Sequence, residues 1–367
     1  MHSQPDQYGW FVALYTGLPA ILLASVVSFI SLFGITLLPP LMLVGASLAS
    51  GAFALLFLQN KISPKMRARN LNEGFVKGLL IFAASISVLT TFGILLSILF
   101  EALHFFSMQS VWYFLFGTQW FPEGDPAKFG ALPLFAGTFY ITFIAMVIAV
   151  PIGLLSAIFM SEYASAKTRD RVKPMLEILA GIPTVVYGFF AAITVAPFIV
   201  SVFDILGFAV SFQNALAPGI VMGIMIIPII SSLSDDVISS VPAHVRHGSL
   251  ALGMTKAETI KFVVLPSALP GIIAATLLGV SRALGETMIV VMAAGLQANL
   301  TWDPLETMTT VTVRIVDAMT GDQAFNSPET LSAFALGLVL FVVTLVINLF
   351  SVSIIRKFHQ KYKVSNL

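Results

Sequence analysis

Residues 134–160 read LFAGTFYITFIAMVIAVPIGLLSAIFM, an unbroken apolar run without one charged side chain. A bilayer core about 30 Å thick needs about 20 mostly apolar residues per helix, so this stretch is long enough to cross one. Working outward from it, similar stretches lie at 10–36, 39–59, 75–104, 179–203, 215–233, 269–296 and 331–355. The expectation is an all-α polytopic membrane protein with about eight transmembrane helices. Composition agrees, because charged residues make up 10% of the 367 and hydrophobic ones 57%, where soluble domains carry roughly 25% charge. Mean hydropathy is +0.95. So few charges could not cover so much apolar surface in water, and disorder requires the opposite composition. A net charge of +1 argues against nucleic acid as a partner. The absence of Cys excludes a disulfide framework, a thiolate metal site and a cysteine nucleophile.

The first apolar stretch follows His2, Gln4 and Asp6 rather than a basic leader, so it reads as a retained helix and not a signal peptide. It joins the second through the uncharged Leu37-Leu38-Pro39-Pro40, which predicts a tight hairpin. Counting Lys and Arg in the loops sets the orientation. One side collects 16 of the 19 basic residues, at 61–77, 167–173, 246–261 and 356–363. That side, with both termini and the loops 60–74, 161–178 and 234–268, is expected to be cytoplasmic. The opposite side holds Lys128 and Arg314, and an aromatic segment with Trp112, Tyr113, Phe116, Trp120 and Phe121 that suits an interfacial belt. The basic stretch 61–72 marks a seam. The expected divisions are a hairpin with its linker at 1–72, a first core span with its outward segment at 73–133, a transport core at 134–355 and a basic tail at 356–367.

Motifs for catalysis are missing. There is no GxxxxGK[ST] loop, so the chain is not expected to hydrolyse ATP in that way, and neither HExxH nor GxSxG occurs. His244 and His247 stand three apart without carboxylate or Cys partners for a metal. No metal or other cofactor is expected.

Three stretches carry more information. In Ser281-Arg282-Ala283-Leu284-Gly285-Glu286-Thr287 the two charges lie near the middle of an expected span, four apart and therefore on one face of a continuous helix. A central Arg costs about 2.5–3.5 kcal/mol on an insertion scale, which Glu286 would partly offset. The pair is either a structural ion pair that fixes register or a charged element in a path for an anion, since the Arg fork suits phosphate or sulfate oxygens. In Ala180-Gly181-Ile182-Pro183-Thr184-Val185-Val186-Tyr187-Gly188, Pro183 between two glycines loosens the backbone. Thr184 and Tyr187 then either line a path or simply pack, and Pro228 presents the same choice. The loop from Val241 to Pro266 has a short amphipathic helix stopped at Gly253, then Thr255 and Glu258 spaced as a capping box. Two short helices with a sharp turn form a knob, which a docking surface needs and a connector does not.

At this loop the chain resembles the permease subunits of ABC importers, whose signature is an EAA sequence, a Gly six residues after its Glu, and an Ile-x-Leu-Pro close. His247-Gly248-Ser249 stands in the EAA place, Gly253 at the offset, and Val263-Val264-Leu265-Pro266 closes the motif. A salt bridge made by the family's Glu does not carry over to His247. Phe129-Gly130-Ala131-Leu132-Pro133-Leu134, Glu177 to Phe190, Ala251-Leu252-Gly253-Met254-Thr255 and Arg282 to Met288 are similar to the PstC-type subunits of the phosphate-specific importer. That resemblance, over about 75–355, implies a six-helix type I ABC importer core plus the N-terminal two-helix hairpin. It also implies a PstA-like permease partner, two ATP-binding cassette ATPase subunits, a periplasmic phosphate-binding protein, and phosphate as solute in a lipid bilayer. The ATPase-coupling loop would be His247, Gly248, Ser249, Ala251, Leu252, Gly253, Met254 and Thr255, and the translocation path would involve Arg282, Glu286, Thr184 and Tyr187. The rival readings are a permease for sulfate or molybdate and a secondary anion transporter.

Overall fold

The computed structural model describes residues 5–31, 39–59, 68–320 and 326–363. They form α1 (Pro5–Ser31), α2 (Pro40–Gln59), α3 (Ala68–Met108) and α4 (Val111–Phe116), then a small antiparallel hairpin of β1 (Trp120–Phe121) and β2 (Lys128–Phe129). After it come α5 (Leu132–Ile158), α6 (Ala166–Gly181), α7 (Thr184–Phe190), α8 (Ala196–Ile205), α9 (Leu216–Ser239) and α10 (Ala243–Ala251). The chain continues through α11 (Lys256–Thr259), α12 (Leu265–Leu284), α13 (Met288–Ala293), α14 (Val311–Thr320) and α15 (Pro328–Lys363). π-helical turns at Phe159–Tyr163, Ala191–Val195 and Ile260–Val264 extend α5, join α7 to α8 and join α11 to α12.

Among the described residues seven helical stretches are long and apolar enough to cross a membrane: Asp6–Ser25, Ala68–Met108, Leu132–Tyr163, Thr184–Ile205, Leu216–Ser239, Lys256–Leu284 and Pro328–Ser353, with a shorter apolar helix at Met42–Leu56. Apart from the small β1–β2 hairpin, the protein is therefore the expected helical, multi-pass membrane protein. One expected span is corrected. The stretch 269–296 is not one helix, because the span begins at Lys256 and stops at Leu284, and α13 is separate. The Leu37-Leu38 part of the hairpin turn and the basic residues 61–67 lie outside the described residues.

Contacts divide the chain into residues 1–95 and 96–367, a boundary inside α3. In the first unit α1 packs on α2, and Phe11, Leu58 and Ala68 are buried together. Tyr15 packs between Phe11 and Phe75 with tilted rings at centroid distances of 4.5 and 5.4 Å, and the Asn72 amide donates to the Gln7 carbonyl at 2.8 Å.

The second unit is built on α5 against α9. Lipid is as apolar as a side chain, so helices associate in it by close van der Waals contact, which favours small residues. Gly223 in α9 shows this: a Cβ there would stand 2.9 Å from the Ala145 carbonyl oxygen of α5 and 3.0 Å from Ile148 Cβ. Around that seam Ile141, Met222, Met225, Ile226 and Ile230 pack with Ala283, Ile289 and Val290 from the α12–α13 region. A second cluster joins Phe105, Phe114, Trp120 and Phe129 edge to face at 5.3–6.4 Å. Trp112, Tyr113, Phe116 and Phe121 are exposed as a belt requires, but Trp120 belongs to this buried cluster.

Candidate functional site

The first candidate region is the turn after α10. The helix ends in a Schellman motif: the Gly253 N–H donates to the Leu250 carbonyl at 3.0 Å and the Met254 N–H to the Ser249 carbonyl at 3.3 Å. Gly253 takes φ +87°, a conformation that costs side-chain-bearing residues dearly. Thr255 and Glu258 then close the capping box reciprocally, with Thr255 N–H to Glu258 Oε2 at 2.8 Å and Glu258 N–H to Thr255 Oγ1 at 3.3 Å. The second helix of the expected knob is not short, however, because α11 runs through its π turn straight into α12. The turn thus sits directly on the end of a membrane-spanning helix. His247, Gly248, Leu250, Ala251, Gly253 and Thr255 are exposed, and Leu252 is 86% exposed. Met254 is half-buried. Ser249 points inward, its Oγ 2.9 Å from Thr259 Oγ1 and 2.8 Å from the Arg246 carbonyl oxygen.

Sequence reading passed over the charges that hold this region. Arg246 in α10 donates from Nε to Glu162 Oε1 at 3.0 Å, from Nη1 to the Val241 carbonyl and from Nη2 to the Ile238 carbonyl, both at 2.6 Å. On α6, Arg169 donates to Asp235 Oδ2 at 2.8 Å and to Ser239 Oγ at 3.1 Å. Lys173 reaches Asp236 Oδ1 at 2.9 Å and Asp235 Oδ2 at 3.4 Å. Asp235 is fully buried and its Oδ1 has no hydrogen-bond partner among the described residues. The hydrogen bond to Asp236 holds the Lys173 ammonium above its ordinary pKa, against the opposing effect of burial. A sequence signal did exist: two acids end an apolar span, and two bases stand four apart in the preceding basic loop.

The second region is the corner between α12 and α13. Arg282 lies in the last turn of α12 and Gly285 ends that helix, its N–H donating to the Arg282 carbonyl at 3.2 Å. Glu286 therefore does not share a helix face with Arg282, and no ion pair joins them. Instead the buried Glu286 Oε1 accepts the Met288 and Ile289 N–H groups at 3.1 and 3.4 Å. Each charge is placed at the helix end of opposite sign, the cation at a C-terminus and the anion at an N-terminus. Arg282 is exposed and has no hydrogen bond or ion pair among the described residues. Behind the corner, Thr312 Oγ1 donates to the Glu286 carbonyl at 2.9 Å and lies 3.0 Å from Thr310 Oγ1. The Val311 N–H donates to Thr138 Oγ1 of α5 at 3.0 Å.

The glycine–proline stretch turns the corner between α6 and α7, and its second half, from Thr184 to Gly188, opens the membrane-spanning stretch Thr184–Ile205. Thr184 is half-buried there. Tyr187 is buried in the core, with its hydroxyl donating to the Leu179 carbonyl at 2.8 Å, so it braces the corner from inside. Pro228 is buried within α9. The structure brings Arg282 and Glu286 to one corner, places Thr184 and Tyr187 at another, and gathers the loop residues at a third.

Comparison with known proteins gives these regions a family. The profile of the phosphate ATP-binding cassette transporter family matches residues 1–42. The chain is 38% identical over 231 residues to the probable ABC transporter permease YqgH of Bacillus subtilis, covering 63% of this chain and 73% of that protein. It is 36% identical over 254 residues to the phosphate transport system permease PstC 1 of Mycobacterium tuberculosis, covering 63% and 73%. With PstC of Xylella fastidiosa the identity is 32% over 299 residues, covering 77% and 91%. A chain of a bacterial ABC transporter involved in import of the polysaccharide alginate shares the fold, with TM-score 0.55 at 16% identity over 78% of this chain and 99% of that one. The profile of the binding-protein-dependent transport system inner membrane components matches residues 149–364, and the chain belongs to that family.

Proposed function

We propose that this chain is the membrane permease subunit of an ATP-driven importer of inorganic phosphate. The observation that carries the reading is the extent of the family match, 149–364, which encloses both the α10 turn and the Arg282–Glu286 corner. Relatives at 32–36% identity are named phosphate transport permeases, and this favours phosphate over sulfate or molybdate. The chain forms half of the path with a PstA-like partner, while a periplasmic phosphate-binding protein delivers the anion. Two ATPase subunits hydrolyse ATP outside this chain. The basic side is cytoplasmic, with both termini, and places α10 against the ATPase, whose surface receives Leu250, Leu252 and their exposed neighbours. Arg282 supplies the uncommitted guanidinium of the path, Glu286 shapes the corner that presents it, and Thr184 lines the path nearby with Tyr187 bracing it.

Uptake of radiolabelled phosphate and sulfate tests this in cells stripped of other phosphate transporters and carrying the wild-type gene, Arg282→Gln, or no copy. Phosphate uptake alone is expected to vanish in the last two, with Arg282→Gln present at normal level in the membrane. Persistence of phosphate uptake without the gene refutes the assignment, and loss of sulfate uptake instead transfers it to the rival oxyanion.

A further inference from the structure

We propose that Arg246 is the positioning residue that carries movement of α10 to the ends of α5 and α9. This rests on the reading of α10 as the ATPase-docking element. The exposed side chains of α10 face outward, so force received there leaves along the chain into α12 or through the inner side of the helix into its neighbours. On that side Arg246 bonds three separate pieces of chain at once: Glu162 in the π turn after α5, Ile238 in the last turn of α9, and Val241 in the link to α10. The Ile238 carbonyl belongs to the end of α9 and the Val241 carbonyl follows just after it, where backbone acceptors outnumber backbone donors and a cation is favoured by the helix dipole.

The arrangement is specific to arginine. A planar guanidinium directs donors along fixed, divergent lines, whereas a lysine ammonium is a point charge on a flexible stem. Glu162 makes its one ion pair among the described residues with Arg246, and the two side chains are only 10% and 19% exposed. Removing Arg246 leaves that carboxylate buried without its partner. Ser249 and Thr259, the other inward polar contact of α10, tie it only to the start of its own following helix. Arg246 is thus the side chain that joins α10 to the two helices at the heart of the second unit.

The test uses the complete transporter in vesicles, with the partner permease, ATPase and phosphate-binding protein, and reads phosphate moved per ATP hydrolysed. Coupling between linked sites commonly spans about 5- to 150-fold, and Arg246→Ala is expected to lower the ratio about tenfold while ATP hydrolysis continues. Arg246→Lys should restore it only in part. Glu162→Gln keeps the shape of the acceptor and loses its charge, and serves if the Arg246 variants fail to reach the membrane; it should lower the ratio to a smaller degree. An unchanged ratio, or parallel loss of hydrolysis and transport in both Arg246 variants and Glu162→Gln, overturns the proposal. Leu252→Asp separates the two readings, because it should release the ATPase from the purified complex. If the ATPase stays bound, the docking reading fails and this inference with it; release with an unaltered ratio in the other variants defeats the inference alone.

Discussion

Gly253 allows a substitution whose cost is purely conformational. A Cβ at this position meets nothing within 4 Å, so steric conflict contributes nothing, while φ +87° charges an L side chain about 1–2 kcal/mol. Gly253→Ala should therefore destabilise the Schellman turn by about 1–2 kcal/mol, a factor of about 5–30 in its opening equilibrium. Asn visits the left-handed region readily and should cost much less, and Val, being β-branched, should cost more. Hydrogen exchange by mass spectrometry on the purified complex reads this directly, in a peptide that contains the Gly253 and Met254 amides. The expected order of exchange is wild type, Asn, Ala, then Val as the fastest. Equal exchange of the Ala and Asn variants, or a Val variant no faster than Ala, would refute the assignment of the cost to backbone conformation.

Other perturbations address the charges. Breaking a buried ion pair costs about 3–5 kcal/mol; since Arg169 and Lys173 are partly exposed and keep Ser239 and Asp236, Asp235→Ala should cost about 2 kcal/mol, seen as a lowered Tm. An unshifted Tm would show that α6 does not depend on Asp235. Exchanging the charges, Arg282→Glu with Glu286→Arg, should not rescue uptake lost in either single variant, because the two groups are not paired; recovery would restore the ion-pair reading. The raised Lys173 pKa means that its stabilisation is complete below the unfolded value near 10.5 and is lost as pH rises through the higher folded value. Thermal melts between pH 8 and 11.5 should therefore show an alkaline decline that Lys173→Met reduces, and identical slopes would count against the Asp236 bond as its source.

The spans were legible because hydropathy is summed over some twenty residues, and a boundary error of a few leaves the sum intact. Local signals fared equally well where the physics is local: the Gly253 stop and the Thr255–Glu258 box follow from backbone conformation and four-residue spacing. The expectation that Arg282 and Glu286 share a helix face failed for a reason visible in the sequence. Spacing of four places two side chains on one face only if the helix continues, and Gly285 between them is a residue that commonly ends helices. Arg246 and Glu162 were illegible for another reason. They stand 84 residues apart, and only the packing of α5 on α9 brings their helix ends together.

The way Glu286 is satisfied bears on the energetics of the path proposed for Arg282. Had the carboxylate held Arg282, an arriving anion would have had to compete it away, adding the rupture of an ion pair in a low-dielectric setting to the barrier. With Glu286 committed to the amides of α13, the guanidinium on the proposed path would exchange hydration for anion oxygens in one step, and the carboxylate would not need to move. On the proposed path, passage past Arg282 would then be a matter of solvent exchange, with no carboxylate among the described residues paired to it and waiting to reclaim the site.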